Sequence, residues 1–459
     1  MIASGILLLG GFALLAVLMV VRLLPTLLAL PLMATWIAII AGIPFVEMIN
    51  DILMKGALRL GSPMIIVIFG AMFAKVIQKT GIANAIIKKA AELAGDKPFT
   101  IAILMSGATA FIFSGMSGLG AIIMIATIAV PIMTSAGIEP IDAVILILLG
   151  LFAGLAVNFS TLATAIGIFG SDAALKYYVP GICVAFLCLI IYIIINIPRS
   201  KSSDGSSFEV VKEFLIGIIS VPKSFFQTVI KLFSKQSSSF VHKKKELPAA
   251  ALITPILPLI IIAVANFTIG FGASADGKID PTGAAMFGFV ISSLYAALLI
   301  KPRETVNLFA GALVEGIQDV AGVIFLFMGI GMLVTASTHP SAVAILDPLM
   351  RNILPSSLYG VLIFFGLFAP TALYRGPFNM FGMGSGIASI LMSVQFLPAT
   401  ILCGLFQAVN FLQNADPTNS QNTWLSGFTG VDTTTIMKKM LPYSWGSCIL
   451  LLIIVAIRQ

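Results

Sequence analysis

The chain has 459 residues, 59% of them hydrophobic and only 10% charged. A water-soluble domain carries about 25% charged residues, so this sequence cannot cover a water-facing surface and its main solvent must be lipid. The net charge of +7 is read as the Lys and Arg excess of cytoplasmic loops rather than a nucleic-acid patch, and two histidines with four scattered cysteines supply neither a metal set nor a disulfide framework.

A spanning helix needs about 20 apolar residues. The first such run begins at Ile2 with no basic stretch ahead of it, so it is read as a span rather than a cleaved leader. Long runs cover 2–21, 23–43, 116–137, 178–197, 249–272, 282–300, 378–397 and 441–457. Shorter or glycine-interrupted runs cover 62–78, 99–113, 141–157, 320–336, 356–372 and 399–412. Together they predict an all-α polytopic membrane protein with roughly eleven to fourteen membrane segments. Two stretches, 45–61 and 82–94, are amphipathic and are expected to lie along the membrane interface. Residues 198–247 interrupt the pattern with nine basic side chains and a run of serines. They predict a cytoplasmic linker, with an amphipathic helix around 208–233, between a transmembrane repeat at 1–197 and a second at 248–459.

Short matches relate the halves. Val46-Glu47-Met48-Ile49-Asn50-Asp51-Ile52 matches Val314-Glu315-Gly316-Ile317-Gln318-Asp319-Val320. Ile147–Phe152 matches Ile401–Phe406, and Ala-Val-Asn-Phe follows in both, at 156–159 and 408–411. Loop charge then orients the copies. Residues 79–98 carry Lys79, Lys88, Lys89 and Lys97, whereas the corresponding stretch, 337–355, carries Arg351 as its one basic Lys or Arg residue. The positive-inside rule puts the first loop in the cytoplasm and the second outside. The repeats therefore have inverted topology, a feature of many secondary transporters.

In such proteins the substrate sits where helices break near the midplane. Irregular backbone survives at that depth only if it is buried in protein or lines a cavity. Each half offers two breaks. The first pair, 114–120 and 375–386, is glycine-rich and reads as the tips of re-entrant hairpins. The second pair, 158–164 and 414–423, is rich in Asn, Ser and Thr and reads as broken helices. The candidate substrate residues are Arg375, Asn379, Ser114, Ser117, Gly118 and Ser385. Arg375 leads them as the one charge within Phe364–Met383, because a planar guanidinium matches a carboxylate with two parallel hydrogen bonds. The candidate ion contacts are Asn158, Ser160, Thr161, Asp416, Thr418 and Asn419, whose oxygens suit sodium or a polar substrate. Glu47/Asp51 and Glu315/Asp319 share helix faces and are read as caps at the water interface. His339 is assigned a structural or exposed role in an outer loop.

No P-loop, nucleophile elbow, HExxH or His/Cys cluster is present. The chain is therefore read as no enzyme, needs no cofactor, and takes its energy from a sodium or proton gradient. Across the Phe69-Gly70-Ala71-Met72-Phe73 segment, the Lys-bearing stretch at 74–94, the 114–120 break, the Ser135–Pro140 turn, the 158–164 break and the mirrored second half, the sequence resembles the ion transporter superfamily of secondary carriers. The gluconate permease and citrate symporter branches are the most similar. That resemblance implies a scaffold domain, a transport domain bearing two hairpins, elevator-type movement and a homodimer. The expected function is cation-coupled symport of a small organic anion, a carboxylate, in a prokaryotic cytoplasmic (inner) membrane. The rivals are a cation/proton antiporter using Asp416 and a non-transporting receptor or scaffold.

Overall fold

The computed structural model describes residues 2–20, 23–94, 97–197, 247–271, 277–353, 355, 357–376, 378–380 and 384–458. The predicted linker, except Leu247, and its helix at 208–233 lie outside the described residues. Described elements are helical apart from one isolated bridge between Phe271 and Ile279.

Two helices open the chain, α1 (Ile2–Val20) and α2 (Thr26–Ile40). Next come α3 (Phe45–Thr80, with π-helical turns over Met48–Lys55), α4 (Ile82–Ala94), α5 (Pro98–Phe113), α6 (Leu119–Ser135), α7 (Pro140–Val157), α8 (Phe159–Phe169) and α9 (Ser171–Asn196). The second half starts with α10 (Ala250–Thr268) and α11 (Pro281–Ile300). It continues with α12 (Pro302–Thr338), α13 (Pro340–Ile353), α14 (Leu358–Arg375), α15 (Gly384–Ser393), α16 (Ala399–Val409), α17 (Ser420–Thr429) and α18 (Thr433–Ile457). Eight described helices are long and apolar enough to cross a bilayer, and six shorter apolar ones accompany them. The expected polytopic all-α architecture is present.

One sequence of elements occurs twice: long helix, short helix, helical hairpin, broken helix, long helix. It runs from α3 to α9 and again from α12 to α18. The counterpart helices α3 and α12 pack antiparallel, as inverted copies must. Near one end Lys79 meets Glu315 at 2.5 Å and Lys75 meets Asp319 at 2.7 Å. At the other end His339 Nε2 lies 3.1 Å from Glu47 Oε1. Between these pairs the backbones approach so closely that a Cβ on Gly331 would stand 2.2 Å from the Gly56 carbonyl oxygen.

This crossing corrects two expectations. Residues 45–61 form no separate surface helix; they continue through 62–78 as the 36-residue α3. Met48 and Ile52 are buried, and Asp51 is neutralised one turn away by Lys55. Nor do Glu315 and Asp319 cap a helix entering at 320. They sit inside α12, which starts at Pro302 and runs for 37 residues. The physical reason is common to both. A run of hydropathy stops at each charge, but an ionisable group in a membrane helix persists when it is paired. Here α3 supplies the partners of Glu315 and Asp319, and Asp51 is paired within α3 itself. The second amphipathic stretch forms the two-faced helix α4, which buries Ile82, Ala83, Ile87, Ala90 and Ala94 while Lys88 and Glu92 are exposed.

Candidate functional site

Both predicted kinds of break are present. Hairpin α5–α6 turns over Ser114–Gly118, and hairpin α14–α15 turns over residues 376–383, of which 377 and 381–383 lie outside the described residues. The broken helices are α7/α8, interrupted at Asn158, and α16/α17, interrupted after a 3₁₀ segment, Asn410–Ala415.

A helix broken in lipid leaves backbone donors and acceptors that must be satisfied internally. In the first half Asn158 does this. It is 1% exposed, and its Oδ1 accepts from Ser160 N at 2.9 Å, capping α8. Its Nδ2 donates to Phe113 O and Met116 O of the hairpin tip, each at 3.0 Å. The Tyr178 hydroxyl of α9 donates to the freed Val157 carbonyl at 2.5 Å.

Asp416 plays the matching part in the second half. Its Oδ2 accepts from Arg375 N at 3.0 Å and from Asn379 Nδ2 at 3.4 Å. Its Oδ1 accepts from Thr418 N at 2.9 Å and Thr418 Oγ1 at 2.7 Å. The residue is wholly buried. Asn422 Nδ2 donates to Asn414 O and Asp416 O at 2.8 and 2.9 Å, closing the same loop. Tyr374 and Arg375 both sit at φ 57°, a left-handed conformation that costs non-glycine residues on the order of 1–3 kcal/mol each. The Asp416 carboxylate holds that strained turn. In each half, one buried side chain at the helix break fastens the hairpin tip.

A cavity of about 180 Å³ opens where the two broken helices meet. Phe152, Leu155, Phe169, Phe406 and Phe411 form its apolar wall. Its polar wall is made of neutral groups: Thr161, Gln407, Asn410, Gln413, Asn419 and Gln421, with the Tyr178 ring beside them. No charged side chain of a described residue lines it. Asn410 Oδ1 is buried and finds no hydrogen-bond partner among the described residues. Second-tip residues reach the cavity directly through Met380 and indirectly through Gln413 Nε2, which donates to Asn379 Oδ1 at 3.2 Å.

Of the residues singled out in the sequence, Thr161 and Asn419 line the cavity. Asp416, Thr418, Asn379 and the Arg375 backbone form the hydrogen-bonded layer against it. The Arg375 side chain is exposed, and its guanidinium makes no hydrogen bond or ion pair with a described residue. Ser160 faces α3, its Oγ 3.2 Å from where a Gly70 Cβ would stand. Ser114 Oγ donates to Phe111 O at 2.7 Å within its own helix. Ser117 is half-buried, Gly118 is exposed at φ 100°, and Ser385 is fully buried in the first turn of α15. None of these last four lines the cavity. The first tip instead abuts the first turns of α10: a Cβ on Gly115 would lie 2.2 Å from Pro255 O.

Gln407, Asn410, Gln413 and Tyr178 were not among the sequence candidates. A signal for the amides did exist. Gln407 and Asn410 recur at i and i+3 in a run otherwise read as an apolar span, and Asn414, in the adjoining break, continues that helical face at i+7.

Two antiparallel helical repeats, each with a hairpin and a broken helix and sharing a cavity at the breaks, define a membrane transporter. The sequence matches the GntP family permease description over residues 4–363, and the chain belongs to that family. Two solved transporters share the fold. One is YdaH of Alcanivorax borkumensis, at TM-score 0.54 and 13% identity over 90% of this chain and 87% of that one. The other is MtrF of Neisseria gonorrhoeae, described as illuminating a class of antimetabolite efflux pumps, at TM-score 0.52 and 12% identity over 89% and 83%. Among curated proteins none matches this sequence. The gluconate-permease side of the sequence resemblance is thus established, and the protein is a transporter rather than an enzyme.

Proposed function

We propose that the protein is a cation-coupled symporter of a small organic anion, a carboxylate, working in a prokaryotic cytoplasmic membrane with the 198–247 linker in the cytoplasm. The observation that carries this reading is the cavity at the junction of the two broken helices, with its neutral amide wall. Amides supply both donors and acceptors for a polar ligand without burying a charge before the ligand arrives. The negative charge is received by the N-terminal end of α17. Asn419, the N-cap there, makes no side-chain cap and donates instead to Gln413 O. That helix start is therefore left open beside Asn419 and Gln421 of the cavity wall, and a helix N-terminus favours an anion.

Arg375 closes on the carboxylate from the hairpin tip, assisted by Asn379. Asn158, Ser160, Thr161, Asp416, Thr418 and Asn419 line the cation or substrate path, and the coupling ion is sodium or a proton. A homodimer with moving transport domains completes this proposal. Antiport through Asp416 is the weaker reading, because its four neutral donors already satisfy the carboxylate.

Uptake of labelled carboxylates and sugar acids into proteoliposomes, under imposed proton or sodium gradients, tests the proposal. Accumulation above the gradient-free level supports it, and the gradient that drives it names the ion. No accumulation of any anion under either gradient refutes it. Arg375→Ala is expected to weaken carboxylate binding by about tenfold to a hundredfold, the worth of one charge-assisted contact. The melting temperature should not change, because the side chain is exposed and makes no pair with a described residue; titration and thermal melts of both proteins in detergent check this.

A further inference from the structure

An ionisable cluster centred on a buried acid lies away from the cavity. Asp142, in the first turn of α7, is 4% exposed. One of its oxygens, Oδ1, takes both Lys439 Nζ of α18 at 2.5 Å and the Tyr192 hydroxyl of α9 at 2.6 Å. Tyr192 is fully buried, and its ring meets Tyr443 edge-on at 4.9 Å. The Tyr443 hydroxyl accepts from Asn196 Nδ2 at 2.7 Å. Glu139 stands at the head of α7, and Lys438 neighbours Lys439 on α18. The other helices packed on α7, namely α5, α6, α8 and α17, contain no charged residue.

The same three helices form part of the cavity wall: α7 through Phe152, α9 through Ile182 and α18 through Leu451. At a rise of 1.5 Å per residue, the cluster sits roughly 15–18 Å from those wall positions along each helix. An ionisable group inside membrane helices is expensive and marks function by default. This one joins the helices whose relative packing shapes the cavity.

We propose that Asp142 is the proton-carrying site of the transport cycle, and that its ion pair with Lys439 couples proton occupancy to the packing of α7, α9 and α18 around the cavity. The proposal rests on the symport reading and names its coupling ion. Hydronium gives up a proton, leaving water, and an O–H bond forms on the Asp142 carboxylate and neutralises it. The Lys439 ammonium and the Tyr192 hydroxyl then lose their charged acceptor. The link that ties α18 and α9 to α7 through one carboxylate oxygen is weakened, so α18 and α9 shift against α7. Loss of the proton restores the pair. Sodium is disfavoured here by the Lys439 ammonium, a fixed positive charge already on the same carboxylate. Among the described residues no group of three or more His, Cys, Asp or Glu is arranged for a metal ion. Asp416 cannot substitute, since its four donors are neutral and none gains or loses a charge partner on protonation.

Two measurements on reconstituted full-length protein test this. Infrared pH-difference spectra should show a protonated-carboxyl band on acidification that is missing from Asp142→Asn. In proteoliposomes, Asp142→Asn should keep carboxylate counterflow yet lose pH-gradient-driven accumulation by about tenfold or more. Asp142→Asn with Lys439→Met removes the orphaned ammonium and should show the same split if the single variant assembles poorly. Absence of the band from the wild-type spectrum, or wild-type accumulation by either variant, overturns the proposal. A wild-type protein with the band but without any carboxylate counterflow would defeat the symport reading alone, because the band is recorded without substrate.

Discussion

Asp416→Ala is expected to destabilise the protein by about 3–5 kcal/mol and to abolish transport, since each buried donor left unsatisfied costs about 1–3 kcal/mol. The substitution strips the acceptor from Arg375 N, Asn379 Nδ2, Thr418 N and Thr418 Oγ1 together. Two of those donors hold the hairpin tip, and two hold the break before α17. Tyr374 and Arg375 stay left-handed only while something outside the turn fixes them, so the strained tip should relax to ordinary backbone. Asp416→Asn keeps the shape but turns an amide donor toward existing donors, and should cost less, about 1–3 kcal/mol. Thermal melts of the purified variants in detergent give the stability order, and carboxylate uptake gives the functional one. An Asp416→Ala protein as stable as wild type would show that the carboxylate does not fasten the tip.

Gly331→Ala should be the second severe change. Its Cβ would be placed 2.2 Å from the Gly56 carbonyl oxygen, and a Cβ on Gly56 would lie 2.9 Å from Met332 Cα. Both obstacles are backbone atoms of long helices, so no side chain can rotate away. Small residues allow such crossings in membranes, where packing and not hydrophobicity drives helix association. Forcing α3 and α12 apart also stretches the Lys75–Asp319 and Lys79–Glu315 pairs. The expected loss is about 3 kcal/mol, the upper end for an overpacked core. Gly322, on the same helix with nothing within 4 Å of its would-be Cβ, is the control. Gly322→Ala should be neutral or stabilising by up to about 1 kcal/mol. Equal melting temperatures for the two alanine variants would contradict the close crossing.

Much of this architecture could be read before any coordinates. The paired breaks were legible because glycine-rich and Asn/Ser/Thr-rich interruptions are costly in lipid and so stand out. The buried Asn158 and Asp416 at those breaks were visible for the same reason. What stayed hidden depends on tertiary pairing. Charges at Asp51, Glu315 and Asp319 look like membrane boundaries in a single segment; their partners, distant in sequence for the two α12 acids, let α3 and α12 run on. Arg375 looked embedded because its neighbours are apolar, yet a left-handed turn at the tip puts its side chain outward. The cavity amides at Gln407 and Asn410 sit in a stretch whose average hydropathy conceals a polar face. Ser114 and Ser385 satisfied the composition of a binding tip, but the Ser114 hydroxyl is spent on Phe111 O and neither residue lines the cavity.

The central claim is that the cavity between the broken helices binds a small organic anion. A thermal-shift panel of carboxylates and sugar acids, each with sodium or potassium at two pH values, addresses it most directly when run on wild type and on Asn410→Leu. A ligand at 100 times its dissociation constant should stabilise the wild type by about 2.7 kcal/mol. The account predicts such a shift for a carboxylate, and its loss when leucine fills the Asn410 position. Silence toward every anion, with stabilisation by sodium or lithium alone, would contradict it.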